Sequence, residues 1–121
     1  MGDLTQYFNR REVACQCGCG AAMVDMRFMD RLDRARGVAG VPFVVRSGLR
    51  CPTHNAKIGG KANSAHLRGL AADIATPDSR TRYHVLRAAF AVGFQRIGIG
   101  RDFIHLDTDP SLPQDVVFDY A

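Results

Sequence analysis

The sequence predicts a small α+β fold, a mainly antiparallel sheet with two principal helices, and three observations predict it. Two stretches, Met23 to Arg36 and Pro77 to Gly93, carry apolar residues at helical spacing. Five short runs, VPFVVRS, LAADIAT, RIGIG, FIHLDT and VVFDY, are rich in β-branched and aromatic residues and are bounded by turn formers. Two of them, RIGIG and FIHLDT, are separated only by Arg101 and Asp102, the spacing of a hairpin and hence of antiparallel pairing. With 121 residues, 46% of them hydrophobic, the chain is long enough to bury one core, so residues 1–121 read as one domain.

The elements follow in order. Val24, Phe28, Leu32 and Ala35 share one face of the first helix, which should end near Gly37. Asp25, Asp30 and Asp33, interleaved with Arg27, Arg31, Arg34 and Arg36, read as its charged outer face. VPFVVRS, marked off by Pro42 and Gly48, is a short strand. Leu49 to Gly69 is rich in Gly, Asn, Ser and Pro and has no apolar period, the pattern of a functional loop. LAADIAT is the second strand. The second helix has a cap in Asp78 or Ser79, a stripe at Val85, Leu86, Ala89 and Phe90, and a stop at Gly93. His84, between Arg82 and Arg87, is expected to face solvent. VVFDY adds an edge strand.

Composition excludes several classes of function. The formal net charge of +4 favours anionic partners, but the basic residues are scattered and no basic block interleaved with aromatics forms a nucleic-acid footprint. No stretch approaches the roughly 20 apolar residues that cross a bilayer, and MGDLTQYFNRREV lacks the apolar run of a signal peptide. A soluble monomer made in the cytoplasm is the expectation. Gly59 and Gly60 read as a turn, since no Lys-Ser/Thr pair follows to complete a phosphate loop. Cys15, Cys17 and Cys19 alternate in CQCGCG and Cys51 stands apart, which is not the paired spacing of a zinc ribbon. They read as reduced thiols around a Gly-rich turn, or, in an oxidising setting, as a disulfide from this cluster to Cys51.

The stretch SAHLRGLAADI places His66 and Asp73 seven positions apart among small apolar residues. A carboxylate in such a strand needs a partner, because an unpaired buried charge is costly. Period-two alternation puts Asp73 on one face with Ala71 and Ala75, and His105 on one face with Phe103 and Asp107. Two histidines and a carboxylate with a fourth position open are the ligand pattern of a catalytic zinc site; His66 and Asp73 read equally well as an ordinary hydrogen-bonded pair. His54 either lines the cleft or bonds to local backbone.

The segment RSGLRCPTHNAKIGGKANSAHLRGLAADI, followed by RIGIGRDFIHLDT, resembles the zinc D-alanyl-D-alanine carboxypeptidases. That group of small peptidoglycan peptidases, of the peptidase M15 type, includes phage L-alanyl-D-glutamate endopeptidases and shares its fold with the hedgehog signalling domain. The resemblance runs from about Val44 to Thr108 and weakly back through CQCGCG. It implies zinc ligands at His66, Asp73 and His105, a substrate-binding arginine at Arg50 within the Ser47-Gly48-x-Arg50 motif, and a serine beside the substrate at Ser64. A general base, in that pattern often a glutamate or aspartate three residues before the third ligand, falls on Asp102; Asp107, on the same strand face as His105, is the alternative, as base or as a carboxylate that orients a ligand. The activity implied is metal-assisted hydrolysis of a peptide bond next to a D-amino acid in a peptidoglycan stem peptide, as carboxypeptidase or endopeptidase. Zinc would acidify a water, and Asp102 would carry its proton to the leaving amine. Without a wall-binding unit in the sequence, a phage or prophage lysis enzyme is expected, reaching the wall after release or export. The competing expectation is a non-catalytic, zinc-containing wall-binding module of the same fold.

Overall fold

The structure, a computed structural model, describes residues 2–120. Its elements are α1 (Arg10–Val13), α2 (Met26–Ala39), β1 (Val45–Ser47), α3 (Pro52–Lys57), a 3-10 turn (Ala65–Arg68), β2 (Ala71–Ala75), α4 (Ser79–Ala91), β3 (Arg96–Ile99), β4 (Phe103–Asp107) and β5 (Val116–Asp119). The five strands form one sheet in the order β1-β2-β4-β3-β5. Pairing is antiparallel except for β5, which lies parallel to β3 at the edge. The mainly antiparallel α+β fold is thus the one the sequence predicts.

Strand alternation divides the sheet into two chemically different faces. Ala72 and Ile74 of β2, Ile97 of β3, and Ile104 and Leu106 of β4 point to the helices and are buried with Phe28, Met29, Leu32, Ala35 and Ala39 of α2 and with Val85, Ala88 and Ala89 of α4. Removing such side chains from water contributes about 1.5–3 kcal/mol for each large one. The intervening residues face the other way. Register places Ser47 beside Asp73, Asp73 beside His105, His105 beside Gly98 and Gly98 beside Phe118, a single row across all five strands.

Several local expectations need correction. Helix α2 runs to Ala39 and ends at Gly40, whose φ of 70° is the left-handed conformation of a glycine cap. Gly37 is tolerated inside the helix because Ala39 adds another buried contact, which offsets the roughly 1 kcal/mol that a helical glycine costs. Asp25 does not belong to an outer charged face: it caps α2, accepting the Phe28 N–H at 2.9 Å. Asp33 accepts the Tyr7 N–H, and Arg31 donates to the Val92 and Gly93 carbonyls, so that face ties neighbouring segments together. On α4, Ala88 takes the core position expected of Phe90, which is exposed. His84 is half-buried rather than solvent-facing, and its Nδ1 is enclosed without a hydrogen-bond partner. The polar stretch 49–69 holds α3 and the 3-10 turn, both too short for an apolar period to reveal. Asp78 caps α4 as expected, accepting the Thr81 N–H at 2.7 Å.

Gly98 leaves room in the row for larger neighbours. A Cβ there would lie 2.6 Å from the Phe118 ring, 2.8 Å from Tyr120 and 3.0 Å from the His105 Cβ. Gly98→Ala should therefore destabilise the fold by about 1–3 kcal/mol, the usual cost of overpacking. A urea titration should give a lower midpoint at unchanged slope; an unchanged midpoint would mean that the rings move aside freely.

Candidate metal centre

His66, Asp73 and His105 come from three different elements and converge. Asp73 and His105 are direct cross-strand partners on β2 and β4, and the 3-10 turn that precedes β2 delivers His66. The Asp73 Oδ1 lies 3.2 Å from His66 Nε2 and 2.9 Å from His105 Nδ1, and the two imidazole rings are 5.1 Å apart at 64°. All three residues are buried.

The outer nitrogens determine which atoms are left over. His66 Nδ1 lies 2.7 Å from the Gly48 carbonyl, and His105 Nε2 lies 2.6 Å from Asp107 Oδ2. A carbonyl and a carboxylate can only accept, so both of these nitrogens carry protons. In the neutral rings, His66 Nε2 and His105 Nδ1 are then lone pairs, and they point at a carboxylate oxygen. Three acceptor atoms facing one another repel unless a proton or a cation lies between them. A donor set of two imidazole nitrogens and one carboxylate oxygen, each nitrogen oriented from behind by a protein oxygen, suits a divalent metal and zinc in particular.

When no metal is bound, a proton on His105 can take that place. Burial alone would push the Asp73 carboxyl up, but the hydrogen bonds and charges of His105 and His66 outweigh it and hold it well below the usual carboxylate range. Burial alone would likewise lower His105, and its bonds to Asp107 and Asp73 raise it instead.

Arg50 joins the cluster. Its guanidinium donates to Ser47 Oγ at 3.0 Å and to Asn55 Oδ1 at 3.2 Å, and reaches Asp73 Oδ2 at 3.5 Å. Ser64 caps the 3-10 turn, its Oγ accepting the His66 N–H at 3.2 Å, which places it one turn from the ligands. Asp102 is elsewhere. It lies in the β3–β4 hairpin, about half exposed, with its carboxylate 2.6 Å from the Arg46 guanidinium, and is not among the residues whose ligand atoms cluster. The bond to Arg46 is the main reason its carboxyl is held below its ordinary value. His54 lies on α3, its N–H directed at the Cys51 sulfur.

The sequence leaves Asp107 as either the alternative base or the carboxylate that orients a ligand; the register makes it the residue that orients His105. Both of its oxygens are engaged, Oδ2 by His105 and Oδ1 by Arg96 Nε at 2.8 Å and by the Asp109 N–H at 3.1 Å. Arg96 and Gly98 went unremarked because only cross-strand register brings them to the site. Phe118 and Tyr120 pack their rings 5.7 and 6.3 Å from the His105 ring. Arg68 bonds to the buried Asp109, tying the turn that carries His66 to the strand that carries His105. Two surface cavities of about 450 and 370 Å³ lie away from this cluster, beside Tyr7 and Phe43 and beside Leu70 and Gln95.

Two outcomes follow from this geometry. Without metal, a His105 value raised on folding means that its charged form stabilises the fold fully below the ordinary histidine value of about 6.5, and that this contribution fades as pH climbs through the raised value. A ligand nitrogen must be unprotonated, so the gain in melting temperature on adding zinc should widen from about pH 6 to pH 8. A gain that does not change with pH would remove His105 from the ligand set. Asp107→Asn should lower metal affinity about 10–100-fold in a chelator competition, and unchanged affinity would make Asp107 a partner of Arg96 alone.

A comparison with protein families places this geometry in context. A model of the family described as peptidase M15 matches residues 6–107, a span that contains the whole ligand cluster and every element except β5. No match was found among curated proteins. The family match extends over far more than half of the sequence, from before α1 to the end of β4, and on that ground the chain belongs to the peptidase M15 family.

Proposed function

We propose that the protein is a zinc-dependent peptidoglycan peptidase that hydrolyses a peptide bond next to a D-amino acid. One observation carries the reading: in a chain of this peptidase family, two imidazole nitrogens and a carboxylate oxygen gather within 4.8 Å of one another, each histidine held from behind by a protein oxygen. Zinc held by His66, Asp73 and His105 would act as a Lewis acid that acidifies a water and polarises a carbonyl.

The chain's own groups have separate tasks. Arg50, with its planar fork already oriented by Ser47 and Asn55, binds a substrate carboxylate or the developing oxyanion. Ser64 spends one lone pair on the His66 N–H and keeps its hydroxyl proton free for the peptide. Asp102 is the general base. Its depressed pKa keeps it ionised at neutral pH, and to take the proton its exposed side chain would have to leave Arg46 and turn toward the substrate. Asp107 is unsuited to that role because both its oxygens are occupied and buried. The substrate is the stem peptide of the cell wall, reached after release or export, and host lysis by a phage or prophage is the setting such an activity suits.

Digestion of purified peptidoglycan, with fragments identified by mass spectrometry, tests this directly. Released stem-peptide fragments that disappear with a chelator support the proposal, and their masses tell carboxypeptidase from endopeptidase action. Asp102→Asn should keep metal and fold yet lose about 10²–10⁴-fold in rate, the range for a general base. A zinc-loaded protein that binds the wall and releases nothing would instead be the binding module.

A further inference from the structure

Outside the His-Asp-His cluster, the fold gathers a second set of metal-ligating side chains. Cys15, Cys17 and Cys19, from the loop after α1, meet Cys51 at the start of α3, and their four sulfurs all lie within 4.8 Å of one another. We propose that these four cysteines form a second metal site, a structural zinc centre that braces the loop carrying Arg50.

The distances fit one tetrahedral ion. With Zn–S bonds of about 2.3 Å, the sulfurs of a tetrahedral site stand about 3.8 Å apart. Here Cys15 and Cys17 are 3.4 Å apart and Cys17 and Cys51 3.6 Å. Alternate residues of an extended chain are about 6.5–7 Å apart, so CQCGCG must coil to bring three sulfurs together. It does so through Gly18, between Cys17 and Cys19, whose φ of 85° is left-handed.

Two backbone N–H groups are already aimed at sulfur. Cys51 N–H donates to Cys15 Sγ at 3.3 Å, and His54 N–H donates to Cys51 Sγ at 3.4 Å. Such bonds orient and stabilise thiolate ligands in the way second partners do for histidine ligands. Buried Cys15 anchors the segment through its N–H on the Ala21 carbonyl at 2.8 Å, and Gln16 donates to the Arg46 carbonyl at 2.6 Å, whereas Cys17 and Cys19 are exposed, so that a metal would be what orders their side chains. An all-sulfur tetrahedral set selects zinc among common divalent ions. Binding would release the four thiol protons and involves no redox change.

Position gives the site its role. Cys51 follows Arg50 directly, and beside it the Leu49 N–H donates to the Val13 carbonyl at 2.9 Å. The backbone of Gly48 packs against Val13 so closely that a Cβ would lie 2.6 Å from that carbonyl oxygen. Gly48 in turn holds His66. A clamp joining residues 15–19 to Cys51 therefore fixes the backbone from which both Arg50 and the His66 anchor are hung.

Zinc content and cobalt spectra test the proposal. Protein purified under reducing conditions should carry about two zinc ions per chain, falling by about one in Cys17→Ser and in the exposed Cys19→Ser, and by about one in His66→Ala. Cobalt-substituted wild type should show intense sulfur-to-metal charge transfer in the near ultraviolet. That absorption should persist in His66→Ala and be lost in Cys17→Ser. The wild-type spectrum decides the matter even if a cysteine variant fails to fold, and His66→Ala separates this site from the proposed catalytic one. Absence of the charge-transfer band from cobalt-loaded wild type, or a Cys17–Cys51 disulfide in zinc-supplemented protein purified without reductant, would overturn the proposal.

Discussion

The structure turns on one carboxylate. Asp73 sits in the middle of the sheet, and an ion so enclosed costs several kcal/mol unless something positive or donating answers it. The answer here is collective: His66 and His105 approach one oxygen, and Arg50 approaches the other. Each of these partners is itself held, His66 by Gly48, His105 by Asp107, Arg50 by Ser47 and Asn55. The arrangement is a nested set of hydrogen bonds around one carboxylate, and the donor set at its centre, two imidazole nitrogens and a carboxylate oxygen, is one that suits a divalent metal.

That nesting is possible because the sheet separates two tasks. One face packs Ala, Val, Ile and Leu side chains against the helices. The other carries the polar row from Ser47 to Phe118. A change in the site therefore need not open the core, and a core substitution reaches the site only through strand position. The exceptions are Asp107 and Arg96, an ion pair buried on the site face, where loss of one partner strands the other.

How far the sequence could be read varies with the range of the interaction concerned. The two long helices and most of the strands were legible because period 3.6 and period 2 are written into consecutive residues. Helix α3 and the turn holding His66 were not, since neither is long enough to show a period. The ends of α2 were misjudged for a related reason: Gly37 looks like a stop, but burial of Ala39 one half-turn later outweighs a glycine's helical penalty. Phe90 looked like core by size, while the face that meets the sheet passes through Ala88. The spacing of the four cysteines matches no paired ligand pattern, so the sequence reads them as reduced thiols around a Gly-rich turn or as a disulfide from that cluster to Cys51, whereas the fold gathers all four sulfurs within 4.8 Å.

By itself the sequence determined the α+β class, the strand-face neighbours of Asp73 and of His105, and the resemblance to the peptidase M15 family carried by SAHLRGLAADI and FIHLD. These follow from local alternation and from residue identity, which need no knowledge of what lies across the sheet. Only the tertiary structure decided that Asp73 faces His105 across one ladder and that Asp107 stands behind His105 while Arg96 stands behind Asp107. It alone placed Asp102 with Arg46 at the hairpin. Register is the physical reason: the pairing of β2, β4 and β3 depends on the packing of the whole sheet, and a slip of one residue would turn every one of these side chains to the opposite face.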